Sequence, residues 1–209
     1  MERVLVAGAT GTTGKEIINL LKHSDRYSPI AMVRKSSQQD QFEKMGVATL
    51  QADLTEDISQ VTQEADKVIF AAGSKGKNLK EVDQEGAKKL VDAAKANSVK
   101  KFVMLSAIGA DRPEASEDLQ EYLKAKQDAD EYLQASKLNY TIVRPGALNN
   151  ESASHRVKAA KQLEPEGEIS RADVARTLVA SLEETVAPKA TFELLSGDEI
   201  IETALLKFS

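Results

Sequence analysis

Tyr122 and Lys126 stand four residues apart in the stretch EDLQEYLKAKQDADEYLQA, Glu117–Ala135. At about 100° per residue, Leu119, Leu123, Ala125, Ala129, Tyr132 and Leu133 share one side of a helix. Gln120, Glu121, Lys124, Gln127, Asp128 and Glu131 occupy the other. Lys126 breaks this partition, because it falls between Leu119 and Leu133, and Tyr122 shares its face. A lysine inside an apolar stripe is expensive unless it has a partner or a purpose. One purpose is chemical. An ammonium one turn from a phenol favours the phenolate, so the tyrosine could pass a proton to or from a substrate oxygen. The alternative is a half-buried tyrosine beside a lysine whose stem is apolar and whose head reaches water.

A second constellation is VLVAGATGTTGKEI, beginning at Val4, which places Gly8, Gly11 and Gly14 between an apolar run and a helical pattern. Glycine inside an element is costly, so three at even spacing predict that something lies very close to the main chain. A strand, a glycine turn and a helix start form the arrangement that binds a diphosphate: the turn is tight, oxygens approach the backbone, and the helix offers free N–H groups. The spacing is G-x-x-G-x-x-G. Glu16 follows Gly14-Lys15, so the Gly-Lys-Ser/Thr of a P-loop is lacking.

These residues need a scaffold, and the rest of the chain predicts one. Strand-like runs are Arg3–Ala7, Ile30–Val33, Val47–Gln51, Lys67–Phe70, Lys101–Leu105, Tyr140–Val143 and Thr191–Leu194. Helical patterns cover Thr12–Lys22, Leu79–Ala96, Glu117–Ala135 and Arg171–Glu183. The alternation predicts an α/β fold: a doubly wound, Rossmann-type parallel sheet with helices on both faces. The whole chain, 1–209, is read as one dinucleotide-binding domain, with 147–209 forming a small substrate-side and C-terminal portion. The pattern loosens after Pro145-Gly146 and resumes at Ser170, a helix N-cap facing the acidic Asp173. In such a fold the end of the second strand meets the adenosine ribose. Here Arg34-Lys35-Ser36-Ser37 follows it, with no carboxylate until Asp40. A guanidinium grips a phosphate, which predicts NADP(H) in preference to NAD(H); the plainer alternative is a solvated basic residue.

Composition narrows the class. The chain has 209 residues, a net charge of −5 and no cysteine. The charge provides no general attraction to nucleic acid or an anionic membrane, and the lack of cysteine excludes disulfides and thiolate metal sites. His23 and His155 have no partners at metal-ligand spacing, so no metal is expected. A cytoplasmic protein acting on a small-molecule substrate is expected.

The spacing of Gly8, Gly11 and Gly14 resembles that of the extended and atypical short-chain dehydrogenase/reductases. The resemblance continues through Asp53, Ala71-Ala72-Gly73, Asp83, Ser106, Tyr122/Lys126 and Arg144-Pro145-Gly146, over most of the chain. It looks most like the small atypical subgroup of NAD(P)-binding, epimerase- or dehydratase-like proteins. The resemblance implies that Gly8, Gly11 and Gly14 line the dinucleotide, with Thr10, Thr12 and Thr13 near its phosphates. It places Asp53, with Leu54, at the adenine, although an aspartate there also suits a turn. Ala71, Ala72 and Gly73 would let the adenosine side pass, or would serve tight packing. Pro145 would run beside the nicotinamide. Ser106 would hold the substrate carbonyl, Tyr122 would exchange its proton, and Lys126 would also reach the nicotinamide ribose. Asp83 replaces the asparagine usual in these enzymes. The implied function is an oxidoreductase or epimerase acting by hydride transfer. The alternatives are an NADP(H)-sensing regulatory protein without turnover and a flavin or quinone reductase. Homodimers through the two long helices are common among such proteins.

Overall fold

The computed structural model describes residues 1–74, 76–164 and 166–209. Its first half alternates strand and helix: β1 (Glu2–Ala7), α1 (Thr12–Lys22), β2 (Tyr27–Val33), α2 (Ser36–Lys44), β3 (Ala48–Gln51) and β4 (Lys67–Phe70). A π-helical segment, Leu79–Gly86, runs into α3 (Ala87–Ala96), followed by β5 (Lys101–Leu105), α4 (Gln120–Ala135) and β6 (Tyr140–Pro145). The remainder holds β7 (Ala147–Asn149), β8 (Arg156–Ala160), β9 (Glu168–Ser170), α5 (Arg171–Ala180), β10 (Ala190–Ser196), β11 (Glu199–Ile200) and α6 (Ile201–Leu205).

The nine-stranded sheet has the order β11-β8-β10-β6-β5-β4-β1-β2-β3. Strands β3 to β10 along this row pair in parallel, and β8 and β11 extend the edge with antiparallel pairs. Buried on both faces, β1 reads as an unbroken apolar run. Val4 and Val6 join Ile17, Ile18 and Leu21 of α1 and Val174 and Leu178 of α5. Leu5 and Ala7 join Leu90, Val91 and Ala94 of α3 and Leu133 of α4. The chain crosses from one side of β1 to the other between β3 and β4. Such a topological switch leaves a crevice above the carboxyl ends of β1 and β4.

All seven predicted strands are present and form the parallel part of the sheet. The predicted helix over Leu79–Ala96 is divided, its first half being π-helical. The α4 stripe is narrower than the periodicity predicts: the helix starts at Gln120, Leu119 is its exposed N-cap, and Tyr132 is partly exposed with its hydroxyl on Asp92. The loose region after Pro145 holds β7 paired with β9, and β8 at the sheet edge.

Candidate active site

The glycine turn joins β1 to α1, and each glycine has its own reason to be there. Gly8 adopts φ +89°, and a Cβ on it would lie 2.5 Å from the Ala72 nitrogen. A Cβ on Gly14 would lie 2.1 Å from the Gly8 carbonyl oxygen. These two glycines therefore permit the chain to pack on itself. Gly11 is different: it caps α1, donates its N–H to the Gly8 carbonyl at 2.9 Å, and a Cβ there would meet little else. No side chain caps α1, and no acidic residue sits in its first turn. The positive end of the helix and its free N–H groups thus face open space, a cradle fitted to a diphosphate.

That space is a cavity of about 680 Å³. It brings together Gly8, Thr10, Gly11, Thr12, Thr13, Gly14, Arg34, Asp53, Leu54, Ala71, Ala72, Gly73, Asp83, Ser106, Tyr122 and Lys126. Pro145 is the exception among the predicted residues. It pairs with Leu194 inside the sheet and its carbonyl accepts from the Ile108 N–H at 2.9 Å, so the β ladder holds it away from the cavity wall. Leu148, from the same segment after β6 that the resemblance sets beside the nicotinamide, lines the cavity instead, with Arg171, which sequence reasoning missed as a site residue and which is tied to the Leu148 carbonyl at 3.0 Å.

At the β2 end, Arg34 is exposed and its guanidinium makes no ion pair among the described residues. Asp53 faces the same space. The Thr55 backbone N–H, donating at 2.9 Å, holds its carboxyl below the usual range, helped by the Thr55 hydroxyl and the nearby Arg34 charge and opposed by partial burial. Asp53 is thus a turn residue and a cavity residue at once.

At the α4 end, the buried Lys126 has found its partner. Its Nζ lies 3.2 Å from Oδ1 of Asp83, which is itself buried, and 5.6 Å from the centre of the Tyr122 ring. The other Asp83 oxygen accepts the Ser74 N–H at 2.9 Å. The π-helical segment delivers this carboxylate to α4.

Beneath them lies a residue that the sequence reading overlooked. Ser106, just past β5, donates its hydroxyl to Oδ2 of Asp130 at 2.9 Å, and Arg144 Nε donates to the same oxygen at 2.9 Å. Burial pushes Asp130 up to about 6, against the pull of Arg144, Ser106 and Lys126. Tyr122, Lys126 and Asp130 continue one spacing of four along α4, and that repeat was the available signal. Arg144 is therefore a buried ion-pair partner on β6. Among the described residues, no group of three or more His, Cys, Asp or Glu could hold a metal, and no helix is long and apolar enough to cross a membrane.

Known proteins share this fold. The NAD(P)H-binding family profile matches residues 8–185. An uncharacterized sugar epimerase of Bacillus subtilis is 40% identical over 98% of this chain and 99% of its own length. A Bacillus halodurans structure, described as a candidate NAD-dependent epimerase/dehydratase, superposes with a TM-score of 0.94 at 34% identity, covering 99% of this chain and 100% of that one. The oxidoreductase ylbE of Lactococcus lactis gives a TM-score of 0.84 at 30% identity, covering 98% and 95%. With the glycine turn at the switch point of a doubly wound sheet, these likenesses place the chain in the NAD(P)H-binding family, among the epimerase/dehydratase-like atypical short-chain dehydrogenase/reductases.

Proposed function

We propose that the protein is an NADP(H)-dependent oxidoreductase that reduces a small carbonyl or oxidises the matching alcohol. One observation carries the reading: a single cavity joins the uncapped start of α1, the free Arg34 guanidinium and the Ser106–Tyr122–Lys126 group. A nicotinamide coenzyme, when bound, supplies or accepts the hydride. The α1 N–H groups bind its diphosphate, and Arg34 selects the 2′-phosphate. Tyr122 holds the proton at its phenolic oxygen and gives it to, or takes it from, the substrate oxygen. Lys126, fixed by Asp83, keeps a positive charge beside the ring. Transient oxidation by a bound oxidised coenzyme, with Tyr122 taking and returning the proton, would serve an epimerase.

A second reading has its own support. The Lys126 ammonium is matched by the Asp83 carboxylate at 3.2 Å, which weakens its hold on a phenolate. That favours hydride transfer to a flavin or quinone, where no tyrosine acid is needed, or cofactor sensing without turnover. NADPH oxidation against carbonyls, quinones and flavins, in wild type and Tyr122→Phe, separates the readings. The main proposal expects carbonyl turnover that falls by about 10²-fold or more in Tyr122→Phe. Turnover untouched by the substitution removes the tyrosine, and tight coenzyme binding with no turnover favours the sensor.

A further inference from the structure

Ser106 has one hydrogen to donate, and the structure commits it. The hydroxyl lies at the cavity wall, yet its proton points inward to Oδ2 of Asp130 at 2.9 Å. A serine bound to an anionic carboxylate in this way presents only lone pairs to its other side. It accepts from a substrate hydroxyl and has nothing to offer a carbonyl oxygen. The carboxylate end is unusual too. Oδ2 takes both Ser106 and Arg144, while Oδ1 is buried with no hydrogen-bond partner among the described residues. A proton placed on Oδ1 removes the unpartnered negative charge from that oxygen and turns Oδ2 into a neutral acceptor shared with Arg144. A hydrogen bond to a neutral acceptor is roughly half as strong as one to an anion. The Ser106 hydroxyl is then free to rotate and donate into the cavity.

We propose that Asp130 is a positioning residue that sets the polarity of Ser106: ionised, it makes Ser106 an acceptor that holds the alcohol form of the substrate; protonated, it releases Ser106 as a donor to the carbonyl form. The inference rests on the oxidoreductase reading and deepens it, by coupling the protonation of one interior carboxyl to which redox partner the site prefers. The charged groups around Asp130 come from several elements. Arg144 on β6 shares Oδ2, and Lys126 lies one turn away on α4 with its charge engaged by Asp83 of the π-helical segment. Asp111, in the loop after β5, lies 3.7 Å from the far side of Arg144, and Glu193 of β10 stands in register with Arg144.

Two measurements test this. The first needs no coenzyme: the ¹³Cγ resonance of Asp130 is followed against pH in wild type and Ser106→Ala. The expected midpoint is about 6 in wild type. It should rise in Ser106→Ala, because a donor to the charged form has been removed. An identical midpoint in both proteins overturns the inference. The second compares cyclohexanol and cyclohexanone as probes of the coenzyme-loaded protein, with affinities read by NMR between pH 5 and 8. Alcohol preference should increase several-fold across the Asp130 midpoint in wild type and stay flat in Asp130→Asn and Ser106→Ala. A flat ratio in wild type, or a bend that survives in both variants, refutes the assignment. If NADPH fails to bind at all, the oxidoreductase reading fails, and the Asp130 titration still reports separately on the Ser106 contact.

Discussion

Arg34 occupies the cavity margin with its backbone N–H given to Gln38 Oε1 at 3.0 Å and its guanidinium free to meet a ligand. A charge-assisted hydrogen bond is worth about 1.5–3 kcal/mol, so Arg34→Ala should weaken NADPH binding by roughly 10- to 100-fold. NADH, which lacks the 2′-phosphate, should be nearly unaffected. Calorimetric titration of both coenzymes into both proteins checks this, and equal losses for the two would show that Arg34 selects nothing. Residues that break a local pattern were the legible ones: three glycines at an element junction, and a lysine in an apolar stripe. Asp130 breaks the same stripe, and its place four residues after Lys126 marks it as an inward acid, but spacing alone does not say what it pairs with. Its partner, Arg144, sits 14 residues away on another element. No local spacing reports a pairing made through the tertiary fold.

Among the elements, α5 carries the N-cap expected at Ser170, and the cap is reciprocal. Ser170 Oγ accepts the Asp173 N–H at 3.0 Å and donates back to its carboxylate at 2.9 Å. Asp173 reaches further, taking the backbone N–H groups of Ser154 at 2.9 Å and His155 at 2.8 Å. Burial works against its charge, yet these hydrogen bonds hold its carboxyl below the usual range. The helix packs on α1 and presents Arg171 to the cavity, so this cap braces the candidate site. Ser170→Ala should cost about 1 kcal/mol in urea unfolding. Asp173→Ala should cost about 2 kcal/mol more, because it also strands the N–H groups of the loop before β8. Equal losses would mean that the loop contacts add nothing. The elements that escaped the sequence reading share a cause. Helix α2 buries only Phe42, so it has no stripe, and β7, β9 and β11 are too short to show a period. Interior strands announce themselves by apolar runs, whereas edge and surface pieces take shape from neighbours distant in sequence.

On the scale of the whole molecule, the sheet carries the candidate site at the carboxyl ends of the strands and an unusual cluster of charge at the other. Lys67 and Lys101 begin β4 and β5, stand directly opposite each other in register, and are both buried. Lys67 is matched by Glu2 at 2.7 Å and faces the Tyr27 ring. Among the described residues, Lys101 has only neutral partners, the Val186 carbonyl at 2.9 Å and Asn139 Oδ1 at 3.2 Å. Burial, with the adjacent Lys67 charge, lowers its pKa to about 8. In the unfolded chain the same amine titrates near 10.5, the ordinary lysine value. Between these two values the unfolded chain therefore binds more protons than the folded one, and stability rises with pH. The contribution is absent below the folded pKa, where Lys101 is charged in both states. Urea unfolding of wild type and Lys101→Met between pH 8 and 9.5, below the range where the tyrosines ionise, isolates it. The wild-type free energy should climb relative to the variant by about 1 kcal/mol per pH unit. Parallel curves would mean that the Lys101 ammonium is retained, with Glu183 and Glu184 outweighing burial and the Lys67 charge.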